Sequence, residues 1–152
     1  MACAAWIMPG VSAEILSVRP GDEADAGKLG YGWSYPERLS DGSTFRWIEK
    51  REGEMSIPIT EPMDYQLAVE VMPLVVHARR QGFGVYVNNQ FVREWELENL
   101  GRFQWFETRL PKKLFRQGTN AIILRAGYKD SPDADPRVLS LAVKQVILTS
   151  HE

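Results

Sequence analysis

This sequence is short of the residues that announce chemistry. Cys3 is its only cysteine, so neither an intrachain disulfide nor a cysteine-based zinc site can form, and the redox compartment stays open. Its two histidines are His77 and His151. A nucleophilic triad needs a positioned histidine; His77 has no serine or cysteine motif around it, and His151, beside the chain end, is expected to be disordered. A strong charge of either sign is also missing. The formal net charge is -2, with lysines and arginines scattered among acids, which leaves no basic stripe for a phosphate backbone. Nucleic acid is therefore not an expected partner. No apolar run approaches the roughly 20 residues that a membrane-spanning helix needs, which argues against membrane insertion. Met1 to Pro9 lacks the basic start of a signal peptide. Two settings stay open: cytoplasmic if the chain is complete, extracytoplasmic if it is a domain excised from a larger protein.

What is present is a strand pattern. At 152 residues, 44% hydrophobic and 25% charged, the chain fits one globular domain over residues 1–152, with 1–10 as a disordered or flexible N-terminal segment. Ser12 to Val18 suits a first strand ending at Pro20-Gly21. Gly21 to Gly42, rich in Gly, Asp, Ser and Pro, reads as a long loop. Thr44 to Glu49 and Glu54 to Ile59 alternate around a turn at Glu52-Gly53 and read as a hairpin, with Pro58 fitting an edge strand because proline cannot donate to a ladder. Tyr65 to Met72 alternates most cleanly, placing Tyr65, Leu67, Val69 and Val71 on one face of a central strand. Leu74 to Gln81 reads as a surface loop. Gly84 to Val87, the Asn88-Asn89 turn and Gln90 to Val92 form a hairpin, followed by an aromatic strand near Phe103 to Phe106. Lys112 to Arg116 predicts one helical turn capped by Gly118, and Val138 to Thr149 a final strand alternating through Leu139, Leu141, Val143 and Ile147. The fold class is all-β, an antiparallel β-sandwich with at most one or two short helical turns.

The strand-turn-strand Val85-Tyr86-Val87-Asn88-Asn89-Gln90-Phe91 and the run Leu114 to Ile122 resemble the galactose-binding-like, jelly-roll modules common in carbohydrate-active proteins. Gly32 to Glu37, Phe45-Arg46-Trp47 and Ser131 to Val143 are similar to accessory β-sandwich domains of bacterial surface-polysaccharide synthesis proteins. The resemblance implies a jelly roll and a carbohydrate-binding or interaction role, without catalysis.

Sugar recognition needs an aromatic face for the apolar side of a pyranose and polar groups for its hydroxyls. Trp33, Tyr35, Glu37, Arg46 and Trp47 supply those types in a short span, and Arg137 joins them as a candidate from the later loop. Two other readings stand beside this one: Trp33 and Trp47 as core, and Glu37, Arg46 and Arg137 as an ion pair pinning the loop. Trp95 and Trp105, with Phe91, Phe103 and Phe106, are expected in the core. No cofactor is certain. Asp130, Asp133 and Asp135 could offer oxygens to a structural calcium ion, as could Asp22, Glu23 and Asp25, but neither set has EF-hand spacing and both suit solvated loop acids. The leading expectation is a non-catalytic carbohydrate-binding or accessory module with a glycan ligand. The alternatives are an interaction module, using exposed aromatics against a protein partner or in a homo-oligomer, and a small β-sandwich lyase or hydrolase, for which no carboxylate pair is marked.

Overall fold

The computed structural model describes residues 14–76, 79–131 and 136–151. Among them, ten strands make two antiparallel sheets: β1 (Ile15–Val18), β2 (Trp33–Arg38), β3 (Thr44–Glu49), β4 (Glu52–Ile59), β5 (Asp64–Pro73), β6 (Gly82–Val87), β7 (Gln90–Glu96), β8 (Gln104–Leu110), β9 (Gly118–Ala126) and β10 (Leu139–His151). The six-stranded sheet runs β2-β3-β10-β5-β8, with β1 also on β10; the four-stranded sheet runs β4-β9-β6-β7. Short 3-10 turns occupy Glu23–Lys28 and Lys112–Leu114. The fold is an all-β sandwich, as the alternation predicts. The expected flexible segment at 1–10 lies outside the described residues.

The sheets close on each other because each strand carries one apolar face. On β5, Tyr65, Leu67, Val69 and Val71 are fully buried, between β10 and β8. Met55, Ile57, Val85, Val87, Ile122 and Leu124 meet them from the four-stranded sheet in one apolar cluster. Each such side chain stabilises the fold by about 1.5–3 kcal/mol through burial. Pro58 sits on β4, an edge strand, where its missing N–H costs no ladder bond.

Five local expectations are corrected. The Gly21 to Gly42 loop contains a 3-10 turn and the strand β2, which pairs with β3. β3 and β4 are not a hairpin: β3 pairs with β2 and β10, β4 with β9. The chain changes sheet at Lys50, whose φ is 61, and Lys50 N–H donates to Val138 O while Arg51 O accepts from Ala126 N–H, drawing the two strands to opposite walls. In β10 the register shifts between Val143 and Gln145, so Val146 and Leu148 are fully buried while Ile147 is half-buried. One inserted residue flips every later side chain to the other face. Finally, the turn before β9 is 3-10 and ends at Phe115, upstream of Gly118. His151, expected to be disordered, pairs with Asp64 at the end of β10.

The two segments that carry the jelly-roll resemblance touch. Asn88 and Asn89 turn the β6–β7 hairpin with φ of 48 and 69, the left-handed geometry of a two-residue turn. The Asn88 amide donates to Leu114 O at 2.9 Å and to Asn120 Oδ1 at 2.8 Å, and its oxygen accepts from Ala121 N–H at 2.9 Å. Asn120 is fully buried; its Nδ2 donates to Arg116 O and Gly118 O, and its Oδ1 also accepts from Arg116 N–H. A buried amide with all its partners in place ties hairpin to turn.

Candidate functional site

The residues singled out in the sequence separate into three places. Tyr35, Glu37 and Arg137 come together at the β2 edge: Arg137 NH1 lies 3.0 Å from Glu37 Oε2 and 2.8 Å from Ser34 Oγ, and its guanidinium carbon lies 4.4 Å from the centre of the Tyr35 ring. Arg46 joins through the backbone, donating to Ser34 O at 2.8 Å and Pro20 O at 2.6 Å. These are the bonds of a pin that fixes β2 to its neighbours, and of the group only Tyr35 is widely exposed, at 58%. Trp33 packs against the core, and its indole N–H donates to Glu54 O at 2.8 Å. Trp47 lies with Phe45 on the outer face of the six-stranded sheet, ring centres 6.2 Å apart.

A cleft of about 690 Å³ opens beside the pin, lined by Arg19, Asp22, Glu23, Glu37, Arg38 and Arg46 among others. None of its lining residues is aromatic, so it offers no stacking face.

The candidate acids are held by the protein itself. Asp22 accepts from the Thr44 hydroxyl. Asp25 accepts from Arg19 N–H at 2.8 Å and pairs with Lys28 at 2.9 Å. Burial pushes the Asp25 carboxyl up, but the Arg19 amide and Lys28 outweigh it and hold the group below its ordinary range. Asp130 accepts from Ser131 N–H at 2.7 Å, while Asp133 and Asp135 lie outside the described residues, as does His77. Among the described residues no group of three or more His, Cys, Asp or Glu is placed to hold a metal ion.

A second surface, unmarked in the sequence, crosses the outer face of the four-stranded sheet. The ladder sets two rows there. Glu52, Arg125, Gly84 and Glu94 are successive cross-strand neighbours, and beside them run Glu54, Ile123, Tyr86 and Phe91. Such neighbours share a face, and the alternate residues Met55, Leu124 and Val85 fill the core. Tyr31 is added from the segment before β2. That segment lies along β4, with Gly30 N–H donating to Glu54 O, Glu54 N–H to Tyr31 O and Glu49 N–H to Gly32 O. Gly32 is required there: its φ is +96, and a Cβ would fall 1.7 Å from Glu52 O.

The result is a groove made of three adjoining clefts of about 480, 350 and 250 Å³, joined through Tyr31, Glu52, Arg51, Tyr86 and Arg125. Tyr31 is 49% exposed and Phe91 55%. Tyr86 and Phe91 meet edge to face at 5.5 Å. Gly84 lies buried beneath these rings; a Cβ there would stand 3.5 Å from Phe91 and 3.6 Å from Tyr86. Tyr31 Oη donates to Glu52 Oε1 at 2.9 Å, and Glu52 Oε2 lies 3.5 Å from Arg125 Nε. Desolvation and the neighbouring Glu52 raise the Tyr31 phenol above its ordinary range, so it stays a hydrogen-bond donor at neutral pH.

The aromatic strands also divide. Trp95 and Phe106 pack with Phe83 in the interior, as expected, while Phe91 and Trp105 are exposed on the outer faces of different sheets. Their order along the chain carries a weak signal: Tyr86 lies between Val85 and Val87, and so alternates out of the core.

The architecture is that of known carbohydrate-binding modules. Similar solved structures include the C-terminal CBM6 of LamC, a marine laminarinase from Zobellia galactanivorans (13% identity, 90% of this chain and 100% of that one, TM-score 0.58). A family 35 carbohydrate binding module from Clostridium thermocellum is alike at 14% identity, over 91% and 99% of the two chains, TM-score 0.58. The Podospora anserina GH26-CBM35 β-(1,4)-mannanase matches at 13% identity over 91% of this chain and 28% of that enzyme, TM-score 0.58. At such identities the likeness is one of fold, an antiparallel β-sandwich of two sheets. No protein-family model matches the sequence, and neither does any curated protein. Among the described residues no helix is long and apolar enough to cross a membrane.

Proposed function

We propose that this chain is a non-catalytic carbohydrate-binding module, and that it holds its glycan in the groove on the outer face of the four-stranded sheet. The observation that carries the reading is the Tyr86–Phe91 ring pair, with Phe91 widely exposed, next to the half-exposed Glu52–Arg125 row. A saccharide presents an apolar C–H face and a rim of hydroxyls. Tyr86, Phe91 and Tyr31 can take the first, and Glu52, Arg125 and Glu94 can take the second through charge-assisted hydrogen bonds. The structural likeness to carbohydrate-binding modules supports the same class of ligand. In this reading Tyr35, Glu37, Arg46 and Arg137 brace the edge of the sheet, and Trp33 holds the segment that delivers Tyr31.

A glycan array followed by calorimetry on any hit tests it. Binding that falls at least tenfold, about 1.4 kcal/mol, in both Tyr86→Ala and Phe91→Ala but persists in Tyr35→Ala is the expected outcome. Loss in Tyr35→Ala alone would move the site to the Arg137 edge, and a blank array would remove the glycan reading.

A further inference from the structure

We infer that the open edge of β8 is a self-association surface, on which two copies of this chain pair antiparallel about Thr108. Among the described residues β8 pairs only with β5, so its other side presents unpaired backbone donors and acceptors. The remaining edges are blunted. β1 is four residues long, β2 and β4 carry Pro36 and Pro58, and the register of β7 is broken opposite Val85 and Tyr86. β8 has none of these features: seven residues run in unbroken register from Gln104 opposite Val71 to Leu110 opposite Tyr65.

The side chains of β8 fit a second copy of themselves. Centred on Thr108, antiparallel pairing sets Glu107 opposite Arg109 of the other copy twice over, Phe106 opposite Leu110, and Thr108 opposite Thr108. Opposite charges and paired apolar or threonine side chains across strands are the favourable combinations. Centring on Glu107 or Arg109 instead would oppose like charges. Arg109 is mostly exposed, touching its own Asp64 through NH2 at 2.7 Å, and among the described residues the Glu107 side chain forms no hydrogen bond or ion pair. Trp105, 49% exposed, lies at the end of the same strand. Cross-strand partners share a face, so the two six-stranded sheets would continue into one and both four-stranded sheets would look the same way. If the groove binds glycan, and this consequence alone rests on that reading, the dimer offers two sites to one polysaccharide surface and gains avidity.

Sedimentation measures the association without any ligand. Wild type is expected to run at twice the chain mass. Glu107→Arg and Arg109→Glu should each run as monomers, while their equimolar mixture should recover the dimer, because one chain then presents two arginines where the other presents two glutamates. Wild type that stays monomeric up to its solubility limit overturns the proposal. So does a dimer that survives either substitution, since it must use another surface. Circular dichroism checks that the variants fold; should Arg109→Glu fail for want of its Asp64 contact, Glu107→Arg, which breaks no bond in the monomer, decides alone.

Discussion

The Arg137 corner and the four-stranded-sheet groove contain nearly the same residue types and do opposite things with them. At the corner, the arginine finds Glu37, Ser34 and the Tyr35 ring within the protein, and its side chain is 15% exposed. In the groove, Glu52 and Arg125 stand 3.5 Å apart with side-chain exposures of 36% and 44%, beside a residue that has no side chain at all. Polar groups already satisfied inside a fold have little left for a ligand. Glu52 and Arg125 are also paired, but loosely and half-exposed, so they keep donors and acceptors turned to solvent. Residue type alone does not separate the two regions; residual hydrogen-bonding capacity does, and the proposed site rests on it.

The most forceful way to break this contrast is Trp33→Ala. If Trp33 is an anchor, the substitution removes core packing and the bond to Glu54 O, and should cost about 3 kcal/mol by chemical denaturation. A loss of glycan binding with unchanged stability would make it a platform instead. Arg137→Ala should come next, at about 1–2 kcal/mol, because Glu37 and Ser34 are left without their donor; glycan affinity measured on the folded variant should be unchanged. Gly84→Ala works from the other side. Its Cβ meets Phe91 and Tyr86 at ordinary contact distance, so the melting temperature should move by only a few degrees, while binding should drop at least tenfold.

pH sharpens the comparison most gently. Asp25, beside the corner cleft, has a folded-state carboxyl below its reference of 3.8, so its contribution is present above that value and lost as pH falls through the lower, folded one. Acid denaturation monitored in Asp25→Asn should show a shallower stability loss below about pH 4. Tyr31 in the groove is raised above 10.0, so its hydrogen-bonded state persists below that value and is lost as pH rises through the folded one. Tyr65 and Tyr128 are raised as well, so ultraviolet titration should find several late-ionising tyrosines, of which one is lost in Tyr31→Phe and shifts down in Glu52→Gln.

The strands that alternate cleanly were legible residue by residue. β5 reads correctly because its period of two needs no partner to be seen, and the Asn88-Asn89 turn because only a left-handed pair closes that hairpin. β2 was hidden by glycine, serine and proline around Trp33 and Tyr35, since an edge strand tolerates residues that a central one rejects. Lys144, at the break in β10, left no mark in composition, yet it moved Ile147 off the buried face. Of the candidate site residues, Trp33 lines one end of the groove, but Tyr31, Glu52, Tyr86 and Arg125, which also line it, and Phe91 beside Tyr86 were not marked for it.

By itself, the sequence determined the class of fold, the central strand and the Asn88-Asn89 turn, because these follow from side-chain period and backbone conformation within a few residues. Only the tertiary structure decided that β3 and β4 belong to different sheets, that Arg137 is absorbed by Glu37 across a separation of 100 residues, and that a groove exists. The physical reason is that cross-strand neighbours come from pairing. Glu52, Gly84, Glu94 and Arg125 form one row only after β4, β9, β6 and β7 have found their register, and no local pattern records that row.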